Sequence, residues 1–202
     1  MESRTNAIRH QCEKARESVR ADIDPNRRFP RKIFVGDWAD YFFFGSDWMT
    51  EPDFVDHAKA FLDVDGAQCA CLWKLDSEDP NEPRFFFVRE QTTIEEYRVL
   101  LAGTTAGYGW LDAMERVACA SDSGAWCMYA EPNNEIAVIG FRHPDGAHRY
   151  SSAMARVHAM RFEDATREPP LSYGFSERAL SREWRDEYLR EYGCARPDPD
   201  LS

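Results

Sequence analysis

Two apolar runs, residues 125–130 and 135–141, stand on either side of Pro132-Asn133-Asn134, and that arrangement leaves few folds open. Turn-forming residues between short segments rich in Ile, Val and aromatic side chains are the signature of a β-hairpin. The chain therefore needs an antiparallel sheet to receive it. Residues 67–75 and 84–89 supply two more strand candidates, joined by a polar, proline-containing link at 76–83. Residues 32–36 and 41–44 read as shorter strands. Among the strands lie helical patterns. In residues 5–21, Ile8, Cys12, Ala15 and Val19 recur at spacings of three and four, and residues 53–61 come after Glu51 and Pro52, which suit a helix start. Thr93 opens a third helix, to residue 101, with Glu96 placed as its capping-box partner. Residues 110–120, 150–160 and 176–192 complete the helices. Helices and hairpins are intermixed without a regular βαβ rhythm, which predicts a mixed α+β fold with a largely antiparallel sheet and flanking helices.

A chain of 202 residues, 43% apolar and 13% aromatic, can bury a core without disulfide or metal staples. It reads as one domain: an α+β globular part over residues 1–170, then, after Pro169-Pro170, a polar helix and tail over 171–202. The first twenty residues are polar and amphipathic, unlike a secretory signal, and no apolar run approaches the roughly 20 residues of a membrane-spanning helix. The expected location is the cytoplasm. Six cysteines form no C-x-x-C pair. Cys69 and Cys71, two apart on one strand, share a face and cannot readily bridge, so the thiols are expected to be buried packing.

Charge is the most informative part of the composition. With 25 basic and 36 acidic residues the chain carries a net −11, which argues against nucleic acid and anionic membranes as direct partners. Residues 1–36 hold nine basic and five acidic side chains, whereas residues 37–82 hold two basic and twelve acidic ones, a balance of −10. That acidic window opens with a stretch that places six aromatics in the eleven positions from Trp38 to Trp48. Two readings stay open for it. In one, the strand is buried on both faces and only its rim is solvated. In the other, Asp37, Trp38, Asp40, Tyr41, Asp47, Trp48, Glu51 and Asp53 form a partner-binding face, aromatic anchors ringed by carboxylates and suited to a basic surface. A homodimer in which the aromatic patch meets its own copy is a third arrangement.

No constellation commits the chain to catalysis, and neither a cofactor nor a metal is expected. The five histidines, at 10, 57, 143, 148 and 158, show no ligand spacing. Cys127 with His143 or His148 would make a thiol triad only if the thiol left its apolar strand. Glu95, Glu96, Glu131 and Glu135 are too ordinary in so acidic a chain to signal paired carboxylates. The loop from Gly103 to Gly109, ahead of the helix expected at 110–120, is the strongest enzymatic candidate, since such a junction can offer N–H groups to a phosphate. It partly resembles the pyrophosphate-binding turn of acetyltransferases, Gln/Arg-x-x-Gly-x-Gly. Gly107 and Gly109 fit, but Thr104 stands where the Gln or Arg should be and the segment before it reads as helix. The resemblance implies a small acyl-CoA-dependent transferase as the alternative function.

The hairpin residues Trp126-Cys127-Met128-Tyr129-Ala130-Glu131, followed by a turn and the apolar strand 136–140, form a W-x-x-Y-(G/A)-(E/D) pattern. This resembles small bacterial immunity proteins of polymorphic-toxin systems, over about 35 of the 202 residues. The resemblance implies a cytoplasmic protein that neutralises a cognate toxin by covering its active site, without a cofactor. Together with the acidic window, it leads to an expected basic protein partner, a nuclease toxin being the natural guess.

Overall fold

The computed structural model describes residues 2–76, 84–104, 107–167, 174–175 and 180–193. In chain order the elements are α1 (Glu2–Asp22), β1 (Asp40–Gly45), α2 (Asp47–Thr50), α3 (Phe54–Asp65), β2 (Cys69–Lys74), β3 (Phe85–Arg89) and α4 (Ile94–Ala102). Next come a two-residue ladder, β4 (Gly103–Thr104) with β5 (Gly107–Tyr108), and a 3₁₀ turn (Trp110–Ala113). The hairpin region holds β6 (Val117–Ser121), β7 (Trp126–Glu131), a 3₁₀ turn (Pro132–Asn134) and β8 (Ile136–Phe141). Short helices α5 (Gly146–Arg149), α6 (Ser151–Arg156) and α7 (Phe162–Ala165) precede α8 (Arg182–Tyr192). Among the described residues no helix is long and apolar enough to cross a membrane.

Six strands form one antiparallel sheet in the order β1-β8-β7-β6-β2-β3. The hairpin read from the sequence lies inside the sheet, between β1 and β6: Met128 faces Ile139 and Tyr129 faces Val138 across the β7–β8 ladder. Both faces of the sheet are covered. On one, Phe42, Phe44, Leu72, Trp126, Met128 and Ile139 pack with Phe61 and Leu62 of α3, Tyr97 of α4 and Met154 of α6. On the other, Tyr41, Phe43, Cys71, Ala118, Ala120, Tyr129 and Val138 pack with Ala15 and Val19 of α1 and Tyr188 and Tyr192 of α8. With helices on both sides, every residue of β6, β7 and β8 is buried, so apolar side chains succeed one another without alternation. Each large side chain so buried stabilises the fold by about 1.5–3 kcal/mol relative to exposure. The result is the expected α+β domain with an antiparallel sheet and flanking helices.

Several elements differ from the sequence reading, each for a physical reason. Residues 110–120 are not a helix: Trp110 to Ala113 makes one 3₁₀ turn, and Val117 to Ser121 is the strand joining β2 to β7. Its small apolar residues, Val117-Ala118-Cys119-Ala120, suit a doubly buried strand as well as a helix, and periodicity cannot separate the two. Residues 32–36 make a single bridge, Phe34 with Ile23, supported by Asp24 N–H to Ile33 O at 2.9 Å and Val35 N–H to Asp22 O at 2.8 Å. Residues 150–160 break after α6, where His158 takes a left-handed backbone (φ 52°) so that Met160 can bridge Phe43 at the outer edge of β1. Thr93 caps α4 as expected, accepting from Glu96 N–H while Glu96 accepts from Thr93 N–H. Beyond the division at residue 170, α8 is packed: Tyr192 donates its hydroxyl to Arg31 O at 2.9 Å and accepts from Ile33 N–H at 3.1 Å.

Candidate partner-binding surface

The acidic-aromatic stretch is divided by the fold. Its first half is spent on the core. Trp38 is 8% exposed, donates from its indole to Val35 O at 2.9 Å, and lies under the Arg142 guanidinium at 4.3 Å. Gly140 makes that seat possible, since a Cβ there would stand 2.9 Å from the Trp38 ring. Tyr41 is 7% exposed and wedged between Phe34 at 5.3 Å and Tyr192 at 5.1 Å. Asp40 accepts from Arg161 at 2.7 Å, and the same guanidinium covers the Phe42 ring at 4.3 Å. Asp37 is exposed, with its carbonyl held by Arg142 at 3.2 Å. Trp38 and Tyr41 are therefore buried in the core and not presented at the surface. The expectation of a single face over all eight residues is corrected because period-2 alternation along β1 sends Tyr41 and Phe43 into one layer and Phe42 and Phe44 into the other.

The second half stays at the surface, on the opposite side of the sheet. Asp47 opens α2, Glu51 ends it and Asp53 precedes α3; all three are exposed. Trp48 is half-buried, with the ring of His57 edge-on at 5.2 Å and the ring of His158 at 5.5 Å. Asp56, also exposed, lies 3.9 Å from Lys59, and Arg156 donates to the Asp56 carbonyl at 3.4 Å. The two ring nitrogens of His57 are buried without a hydrogen-bond partner. Burial, and then the positive charge of Arg156, lower its pKa below the ordinary 6.5, against the opposing pull of Asp53 and Asp56. The outcome is a partly exposed indole on α2, with exposed carboxylates on α2, on its connection to α3 and on α3 itself.

Sequence reasoning names Asp47, Trp48, Glu51 and Asp53 for this surface and misses His57, Asp56, Arg156 and His158. Asp53 and His57 stand four apart, a spacing that places both on one helical side. Nothing in the sequence near His158 announces its return to Trp48, which depends on the bridge at Met160.

The other candidates lie elsewhere in the fold. Cys127 is wholly buried, burial pushes its thiol well above the ordinary value, and its Sγ rests on Met128 O at 3.7 Å, while His143 and His148 lie on the surface. Of the loop from Gly103 to Gly109, residues 105 and 106 lie outside the described residues. The loop leads into a four-residue 3₁₀ turn, so the helix N-terminus expected to meet a phosphate is not formed. Gly109 is required by packing, since a Cβ there would meet Leu101 O at 2.1 Å. Among the described residues no group of three His, Cys, Asp or Glu side chains could hold a metal ion.

The hairpin motif is a lock. The buried Glu131 carboxylate accepts from Tyr129 Oη at 2.8 Å and Phe29 N–H at 2.7 Å on one oxygen, and from Asn134 Nδ2 at 2.5 Å on the other. It ties the hairpin to the basic turn around Pro30. Arg116 ties the same turn from the far side, donating to Asp76, to Pro25 O at 2.7 Å and to Arg27 O at 3.2 Å. The geometry defines an α+β domain with two covered sheet faces and a partly exposed indole flanked by the rings of His57 and His158. Compared with family models, with curated proteins and with solved structures, the chain matches none.

Proposed function

We propose that the chain is a cytoplasmic binding protein of the immunity type, which neutralises a basic protein partner through the surface around Trp48. The observation that carries this reading is a partly exposed indole on a segment, residues 47–56, whose four carboxylates, Asp47, Glu51, Asp53 and Asp56, are all exposed. A flat aromatic anchor supplies contact area at low entropic cost, and the surrounding charge speeds encounter with a cationic partner and fixes its register. A nuclease toxin is the partner class this chemistry suits, because the phosphate-binding surface of a nuclease is itself basic. A carboxylate face seated there competes with the nucleic acid directly and needs no cofactor.

The test compares tagged wild type with an Asp47→Lys, Glu51→Lys, Asp53→Lys variant and with a control reversed at the exposed Glu163 and Asp164 of α7. Each is used to capture proteins from the native host at low and high salt. The expected result is one basic protein held by wild type and control at low salt, weakened at high salt and lost by the triple variant. Retention of that protein by the triple variant at wild-type strength would sink the assignment.

A further inference from the structure

The sheet-facing stripe of α1 carries one of a pair of thiols that the sequence keeps 57 residues apart. Ala15 and Val19 of this stripe are fully buried, and Cys12, at its N-terminal end, is partly exposed. Directly beneath it, Cys69 opens β2 and is 1% exposed. The two Sγ atoms are 3.1 Å apart, with Cys69 Sγ donating to Cys12 Sγ. A disulfide needs about 2.05 Å, so roughly 1 Å of approach separates this contact from a covalent bond. The Cys69 backbone is held on both sides of the residue: Asp122 Oδ1 accepts its N–H at 3.2 Å, and its carbonyl accepts from Asp122 N–H at 2.9 Å. Any closing movement therefore falls to α1 and the Cys12 side chain.

We propose that Cys12 and Cys69 form a reversible disulfide that clamps α1 to the sheet when the protein meets a peroxide. Access orders the steps. Cys12, the less buried of the two, gives up its proton and attacks the peroxide. Its sulfur–oxygen bond forms as the O–O bond breaks, leaving a sulfenic acid and one water. Cys69 then attacks the sulfenyl sulfur; the S–S bond forms, the S–O bond breaks, and the departing hydroxide leaves with the Cys69 proton as a second water. Two thiols are oxidised by two electrons and one peroxide is reduced to two waters. A small dithiol reverses the reaction by exchange, itself becoming the disulfide. Burial, and then its hydrogen bond to Cys12, raise the Cys69 thiol far above its ordinary value, so it is not the thiol that meets the peroxide first; its part in the second step rests on its 3.1 Å contact with the Cys12 sulfur.

The experiment uses the full chain carrying Cys194→Ser, so that the thiol of residue 194 takes no part. Protein is treated with equimolar hydrogen peroxide, then quenched, alkylated and digested. Trypsin leaves Cys69 and Cys71 on one peptide, between Lys59 and Lys74, so the assignment also uses Cys71→Ala, which is expected to leave the reaction intact. The expected result is loss of two titratable thiols per chain, a cross-linked pair containing Cys12 and Cys69, and recovery of both thiols with dithiothreitol. The oxidised protein is expected to melt about 5–15 °C higher, since the bond closes a long loop. Cys12→Ser, a change at a partly exposed site, and Cys69→Ala are each expected to abolish the cross-link. Retention of every thiol, a Cys12 that carries oxygen with Cys69 still free, or a cross-link that survives Cys69→Ala but not Cys71→Ala would overturn the proposal.

Discussion

The two halves of the acidic-aromatic stretch both mix carboxylates with aromatic rings, and they have opposite fates. Residues 37–44 hold two carboxylates and five aromatics; the aromatics are all buried, and the Asp40 carboxylate is answered by Arg161. Residues 47–53 hold three carboxylates and one aromatic, all reaching the surface to some degree. The difference comes from secondary structure and its cover. Strand β1 has helices above and below, so both of its faces need apolar side chains. The single turn of α2 and the entry to α3 present one buried side, filled by Met49 and Phe54, and leave the other to water. Aromatic-acidic composition is therefore evidence for an interface only where the local structure has a free side.

That contrast can be broken most forcefully in the first half. Phe43 is fully buried and touches the rings of Phe162, Tyr188 and Tyr192 at 5.0, 5.5 and 5.6 Å. Phe43→Ala is expected to cost about 3–5 kcal/mol in chemical denaturation, through lost burial and the cavity left behind. A loss below about 1 kcal/mol would mean that this layer is loosely packed and that the division into buried and exposed halves is wrong.

Next in size is the ion pair that lets Asp40 sit inside. Arg161→Ala removes the partner of a carboxylate whose side chain is 13% exposed and uncovers the Phe42 ring, while Arg161 itself is 35% exposed. Solvent screening from the arginine side places the expected cost between a surface and a buried pair, about 1–2 kcal/mol. A double-mutant cycle with Asp40→Asn separates the pair from the ring contact; no coupling would assign the effect to Phe42 alone.

The same physics governs how far the sequence reveals this arrangement. The hairpin is legible because a turn-rich trio separates two apolar runs, and the α4 cap because Thr93 and Glu96 stand at capping-box spacing. Strand β6 is not, because double burial erases the period-2 signal by which a strand is distinguished from a helix. Half of the candidate surface is legible in Asp47, Trp48, Glu51 and Asp53, whose carboxylates are close in sequence. Of the rest, Asp56 and His57 are local but carry no signal apart from their helical spacing, while Arg156 and His158 are hidden because they come from a segment some hundred residues later in the chain. Cys12 and Cys69 are hidden in the same way: nothing in the local spacing relates them, and only the packing of α1 on β2 brings Cys12 to Cys69.

The smaller effects lie in the second half. Trp48→Ala removes a half-exposed ring, so the expected loss of stability is about 1 kcal/mol, well below that of Phe43→Ala, while partner affinity falls at least tenfold. His57 gives the finest discrimination. Burial and Arg156 hold its pKa below 6.5, although Asp53 and Asp56 pull the other way and His158 adds repulsion. Between that lowered value and 6.5 the unfolded chain binds more protons than the folded one, so stability rises with pH there. The contribution is present in full above pH 6.5 and is lost as the pH falls through the folded-state pKa. Denaturation midpoints between pH 7 and pH 5 are thus expected to fall more steeply for wild type than for His57→Gln. Equal slopes would mean that the imidazole beside Trp48 is as well solvated folded as unfolded, and the surface around Trp48 would then stand wholly open, a sharper contrast with β1 than the burial of the His57 ring nitrogens implies.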